Sequence, residues 1–273
     1  MKGWVEKMHH RLIDCFKVIA FLVALSPILQ AEESRTLRVL CYNIHYGQGT
    51  DGVYDIPRLA KVINETKPDL VALQEVDVGV GRSARIHEAR ELGSLTEMAV
   101  RFGPTQHYDG GLYGNAVLTR LPIEDVHIQP LPYSNSNAQR TTYPRGAISV
   151  TVRLENGKRL QFISTHFQHN VEEDRVAEAK AIVKHFSGAD QLPSILAGDM
   201  NARPESEPIA ILTEHWLHTS DSGFEPTAPS GKPSSRIDYI FYQQSTGLKL
   251  KESRVIDEPV ASDHRPVLAV FEY

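Results

Sequence analysis

Residues 193–204 read PSILAGDMNARP, and the architecture of the chain turns on how that stretch is placed. Ile195, Leu196 and Ala197 make a short apolar run of the kind that fills a strand buried on both faces. Asp199 and Asn201 stand at its C-terminal end with i, i+2 spacing, so an extended chain directs both to one side. A bare carboxylate there is costly unless a partner offsets it. Gly, Asp and Asn also form ordinary turns, so the segment taken singly leaves a turn and a site open.

Working outward, the pattern recurs. LRVLCYN (37–43) reads as a strand ending at Asn43, with His45 just beyond, and the strand in KPDLVALQEV (67–76) ends at Glu75. RLQFISTHF (159–167) carries His166 and pairs with RGAISVTVRL (145–154) across the turn Asn156-Gly157. GNAVLTRLPI (114–123) is strand-like, RIDYIFY (236–242) holds Asp238, and Asp263 and His264 precede a last strand in RPVLAVFEY (265–273). Helical spacing predicts helices from Pro57 to Asn64, from His87 to Phe102 and from Val171 to Phe186. Helices alternating with strands, and hairpins interleaved among them, fit a layered α/β sandwich better than a purely parallel sheet. The polar residues gather at strand ends, where a rigid scaffold presents chemistry.

Each polar residue has a bland reading alone; Asp238, for one, fits a carboxylate satisfied by backbone N–H groups. The set is harder to dismiss, because Glu75, Asp199 and Asp238 each end or interrupt an apolar strand. Carboxylates with an Asn carbonyl are hard oxygen ligands that suit Mg²⁺, Mn²⁺ or Ca²⁺ rather than a His/Cys zinc site. Histidines beside them can take a proton or hold a phosphate oxygen.

The first thirty residues differ in kind. Lys2, Lys7, Arg11 and Lys17 flank or precede an apolar run from Val18 to Leu25, Pro27 breaks it, and Ala31 is a small residue before EES. That describes a signal peptide over residues 1–31, or an N-terminal anchor if uncleaved; the run is short for a membrane span, which needs about 20 apolar residues. The body, residues 32–273, reads as one exported domain, periplasmic or secreted, working as a monomer. Its single cysteine, Cys41, allows no internal disulfide. The formal charge of −5 becomes about −7 when the four basic and two acidic side chains of residues 1–31 are removed. No basic stripe of the kind that grips nucleic acid is present.

CYNIHYG, LVALQEV, YGNAVLTR, FISTHF, LAGDMNARP, RIDYIFY and ASDHRPV occur here in an order that resembles the endonuclease/exonuclease/phosphatase (DNase I-like) superfamily, over nearly the whole body. The resemblance implies a four-layered sandwich of two mixed β-sheets flanked by helices. It implies that Glu75 is the main ligand of Mg²⁺ or Mn²⁺, with Asn43 beside it and Asp263 acting directly or through water. Asp199 would orient or deprotonate the attacking water, Asn201 would hold a phosphate oxygen, and His264, with its tautomer set by Asp238, would contact the phosphate. His166 matches the second histidine of the DNase I-like and sphingomyelinase-like branches, where abasic-site nucleases favour tyrosine. Asn115, Arg145 and His169 are candidate substrate contacts, as are Arg82, Ser83 and Asn170; a solvent-facing strand-edge arginine is the competing reading of Arg145.

The implied reaction is in-line attack of water on a phosphoric ester. A lipid head group, with transient membrane contact, fits an exported acidic body better than nucleic acid does. An extracellular nuclease is the alternative, and a non-catalytic binding module of the same fold is a further one.

Overall fold

β1 (Thr36–Asn43) and β2 (Leu70–Val78) lie side by side and parallel, as do β7 (Arg159–His166) and β8 (Ser194–Asp199), and each pair is the centre of one sheet. The computed structural model describes residues 35–188, 191–220 and 223–273; the expected leader lies outside the described residues, as does Cys15. Adding β3 (Ala99–Tyr108), β4 (Gly111–Thr119), β11 (Lys249–Val255) and β12 (Val267–Glu272) gives a six-stranded sheet ordered β11-β12-β1-β2-β4-β3. The second six-stranded sheet is ordered β5-β6-β7-β8-β10-β9, with β5 at Ile123–Pro130, β6 at Gly146–Arg153, β9 at Leu217–His218 and β10 at Asp238–Tyr242.

The sheets face one another across one apolar layer. Val39, Cys41, Ala72, Val117 and Phe271 from the first pack against Ile148, Val150, Phe162, Ile195 and Ala197 from the second. The first sheet's outer face packs on α1 (Ile56–Thr66) and α2 (Glu88–Thr96) through Leu59, Ile63, Leu92, Val71 and Leu73. The second sheet's outer face packs on α3 (Glu172–Phe186) and α4 (Glu207–Thr213) through Ala179, Ile182, Ile209, Ile163 and Leu196. Helices, sheet, sheet and helices make the four layers that the resemblance implied. Cys41 is a free thiol inside the central layer. Among the described residues no helix is long and apolar enough to cross a membrane.

Three sequence expectations are corrected. The helix expected from His87 to Phe102 stops at Thr96, because Glu97 turns left-handed (φ 55°) and Met98 N–H returns to the Gly93 carbonyl. Residues 99–108 are strand β3; Leu95 and Met98 are three apart by coincidence, and a glutamate at the left-handed cap carries no glycine signal. GNAVLTRLPI leaves β4 at Thr119, turns where Thr119 Oγ1 accepts the Leu121 N–H at 2.9 Å, and enters β5, in the other sheet, only at Ile123. Glu75 does not end its strand: it sits in a bulge between Leu73 and Val76 with φ 58°, and β2 continues to Val78.

Candidate active site

Strand direction brings the site together. Asn43, His166 and Asp199 are the last residues of β1, β7 and β8, and Glu75 stands in the bulge of β2. β10 and β12 run antiparallel to their neighbours, so Asp238, the first residue of β10, and His264, just before β12, arrive at the same edge. Asp238 and Asp199 are cross-strand partners.

Asp199 is the hub, 1 % exposed. Its Oδ1 accepts the Asn201 N–H at 2.8 Å, a turn that Asn201 closes with φ 47°, a left-handed conformation asparagine tolerates. Its Oδ2 accepts Asn43 Nδ2 at 3.0 Å and lies 3.4 Å from His166 Nε2 and 3.8 Å from His264 Nε2. Burial, and then the Asp238 charge, push its carboxyl up to about 7, against the lowering pull of His264 and the two hydrogen bonds.

His264 is 8 % exposed, and its Nδ1 donates to Asp238 Oδ2 at 2.9 Å and Oδ1 at 3.2 Å. Burial works against charging this ring, yet Asp238, Asp199 and Asp263 together outweigh it and hold the ring well above the ordinary histidine range. It stands as an imidazolium whose Nε2–H is directed by Asp238. The loop before it is anchored by Ser262 Oγ, which donates to the Asn43 carbonyl at 2.7 Å.

His166 has the opposite electrostatics. Burial first, then Arg145, His264 and His169, hold it well below the ordinary range, so it is neutral. Asn201 Nδ2 donates to the Phe167 carbonyl at 3.0 Å and lies 2.9 Å from His166 Nε2, and the ring's Nδ1 lies 3.4 Å from the Tyr113 hydroxyl. Arg145 Nη1 lies 3.3 Å from the same Nδ1 and 3.5 Å from Tyr113 Oη. Arg145 is only 6 % exposed and lines the cavity, so it is no solvent-facing edge arginine.

Glu75 borders the cavity and accepts Asn43 Nδ2 at 3.1 Å, its only hydrogen bond among the described residues. The Asn43 oxygen is taken by the His45 N–H at 3.0 Å, so the amide nitrogen faces the carboxylates. Asp263, 42 % exposed along its side chain, lies 3.8 Å from His45 Nε2 and 3.9 Å from His264 Nε2. Asp199, Asp238 and His264 offer ligand atoms within 4.8 Å of one another, but His264 Nδ1 is already committed to Asp238. The uncommitted hard oxygens belong to Glu75 and Asp263. The Glu75 and Asp263 carboxylates suit a divalent cation on that side.

The cavity has a volume of about 340 Å³ and reaches from Asp199, Asn201 and His264 past Arg145 and His169 to a wall of Arg82, Gln106, Tyr108 and Tyr143. Asn115 is not brought in, since its Nδ2 is spent on the Gly146 carbonyl at 2.8 Å, joining β4 to β6. Ser83 is buried and bonds Val80, and Asn170 donates to the Thr141 carbonyl at 2.8 Å, so neither lines the cavity. Sequence reasoning missed the tyrosine wall, because tyrosines in a strand pattern look like strand residues. It missed Gln74 too, a buried amide that donates to Ser164 Oγ at 3.2 Å and ties the two sheets beneath the site.

Comparison with known proteins bears on the family and the fold. The model of the endonuclease/exonuclease/phosphatase family matches residues 40–264. The protein YbhP of Escherichia coli (strain K12) is 24% identical over 254 residues, covering 86% of this chain and 95% of its own. An endonuclease/exonuclease/phosphatase from Beutenbergia cavernae superposes with a TM-score of 0.71 at 26% identity, over 87% of this chain and 71% of that one. The Bacteroides thetaiotaomicron mannosyl-6-phosphatase Bt3783 shares the fold, with a TM-score of 0.66 at 19% identity, over 85% of this chain and 98% of its own.

Proposed function

The chain belongs to the endonuclease/exonuclease/phosphatase family, whose members are typically hydrolases of phosphoric esters, and from that premise we propose that it is a divalent-metal-dependent phosphoesterase that directs water in line at phosphorus. The observation that carries this reading is the Asp199 hub: one buried carboxylate, oriented by Asn43 and Asn201, between an imidazolium and a neutral imidazole.

A carboxyl raised to about 7 accepts a proton from water more readily than an ordinary carboxylate, so Asp199 is the base. His264 presents Nε2–H to a phosphoryl oxygen, and Arg145 supplies a second fixed positive charge in the same cavity. Asn201, already donating through its backbone to Asp199, holds the turn that sets the base. Mg²⁺ or Mn²⁺ at Glu75 and Asp263 would polarise the phosphoryl group and offset its developing charge. His166 stays neutral beside Arg145 and Tyr113, where its ring can hold a phosphoryl or departing oxygen.

The exported, acidic body favours the phosphodiester of a lipid head group over nucleic acid. Residues 32–273 should hydrolyse bis-p-nitrophenyl phosphate with Mg²⁺ or Mn²⁺; turnover that survives exhaustive chelation refutes the metal requirement. Plasmid nicking without cleavage of any lipid would favour the extracellular nuclease instead. Export is checked by N-terminal sequencing of the protein recovered outside the cytoplasm, which should begin near Glu32.

A further inference from the structure

The stretch VGVGRSAR (78–85) has no part in the proposed chemistry, yet it puts a guanidinium into the cavity wall. Arg82 stands on the short turn Gly81–Ser83, and its guanidinium carbon lies 3.7 Å from the Tyr46 ring centre, 4.6 Å from Tyr108 and 5.7 Å from Tyr113. Its Nε and Nη2 donate to Asp77 at 2.8 and 3.1 Å. Asp77 is fully buried, and its own N–H is held by Glu88 at 2.7 Å. The planar fork is therefore fixed by a carboxylate and by three rings, which costs little further order when a ligand arrives. Nη1 is left over, with no hydrogen bond among the described residues.

Tyr113 links this wall to the reacting centre: its hydroxyl meets Arg145 and its ring meets Arg82. A box of tyrosine rings is a natural receptacle for a quaternary ammonium ion. Here the protein's own cation already occupies the box, and a second cation would meet that charge at short range in a sheltered space. The remaining wall groups, Gln106, Tyr143 and His169, are hydrogen-bonding and uncharged or weakly basic. At roughly 30 Å³ per water, the cavity holds the equivalent of about eleven waters, room for a phosphoryl group and one ring-sized alcohol.

Resting on the phosphoesterase reading, we propose that Arg82 is the specificity-determining residue for the alcohol half of the ester. It bars choline esters by filling the tyrosine box, and it offers Nη1 to the oxygens of a polyhydroxylated alcohol, a sugar or cyclitol. That alcohol is either free or the head group of a lipid.

The test pairs turnover with binding in the full exported protein loaded with Mn²⁺. The p-nitrophenyl diester of myo-inositol 1-phosphate should exceed p-nitrophenyl phosphorylcholine in kcat/KM by about tenfold or more, the size of one well-placed polar contact. Arg82→Gln, which can still donate to Asp77, should collapse that ratio about tenfold, mainly through KM. Arg82→Lys should not restore it, since an ammonium cannot reproduce the fork. Calorimetric titration with myo-inositol 1-phosphate and with phosphocholine reads the same preference without turnover. Equal binding of the two, or an Arg82→Gln effect equal on both esters, overturns the inference. Absence of bis-p-nitrophenyl phosphate hydrolysis, with the binding preference intact, overturns the phosphoesterase reading alone. Phosphatidylinositol vesicles cut faster than the soluble diester identify a membrane source, and the reverse identifies a free ester; either supports the role of Arg82.

Discussion

Replacing Asp238 by Asn tests the site at the point where geometry and electrostatics meet. The carboxylate receives His264 Nδ1 at 2.9 and 3.2 Å, and it is the largest of the influences that raise the ring above the ordinary range. Asparagine removes a charge-assisted hydrogen bond worth about 1.5–3 kcal/mol, which at about 1.4 kcal/mol per tenfold is a loss of roughly 10- to 150-fold in kcat. An amide that turns its nitrogen toward Nδ1 adds to the loss by favouring the other tautomer. Burial still opposes charging, so the imidazolium disappears at lower pH and the alkaline limb of the rate profile moves down. Asp199 loses both the Asp238 charge that raises it and the His264 charge that lowers it, with burial still its largest influence, so the acid limb moves less than the alkaline one. For stability the sign is that of a raised histidine: its contribution is complete below pH 6.5 and is lost as pH rises through the higher folded value, and the variant gives up that contribution. The assay is hydrolysis of bis-p-nitrophenyl phosphate from pH 5 to 10 under saturating Mn²⁺, with an NMR titration of His264. A variant within threefold of the wild type, with both limbs unmoved, refutes the assigned coupling.

Other outcomes follow from the same coordinates. Chelation should abolish turnover, and Mg²⁺ or Mn²⁺ at 100 times its dissociation constant should add about 2.7 kcal/mol to stability, read as a rise in Tm that Glu75→Gln loses. Glu88, fully buried with Oε2 accepting the Asp77 N–H, is pushed by burial up to about 8 from 4.5. The unfolded chain therefore ionises it first, and stability falls as pH rises from 4.5 to 8, by at most roughly 5 kcal/mol. Glu88→Gln should flatten that decline in urea melts at pH 5 and 8, and a decline left unchanged counts against the burial argument. A Cβ on Gly198 would run into the Thr165 carbonyl across β7 and β8, so Gly198→Ala should cost roughly 3 kcal/mol and about 6–12 °C in Tm, with kcat lost as Asp199 shifts. A melt within a degree of the wild type would show that the strands part more easily than their register implies.

The chain's local pattern by itself determined a layered α/β sandwich and the strands carrying Asn43, His166, Asp199 and Asp238, and the resemblance of its ordered motifs implied the four layers. Apolar runs with a period of two, closed by polar residues that cannot be buried bare, are a local signal, and ordered motifs add up along the chain. Tertiary structure alone decided which polar residues share one cavity and in what state. The left-handed Glu75 and Glu97, neither marked by a glycine, moved a strand end and a helix end. Two histidines of the same type took opposite charge states, because Asp238 and Asp199 surround one while Arg145 stands against the other. In sequence, Arg145 and Arg82 each stood open between a substrate contact and a surface arginine. Whether such a side chain meets solvent, a carboxylate or a tyrosine ring depends on strands far apart in the chain, and only the packing of the two sheets brings those together.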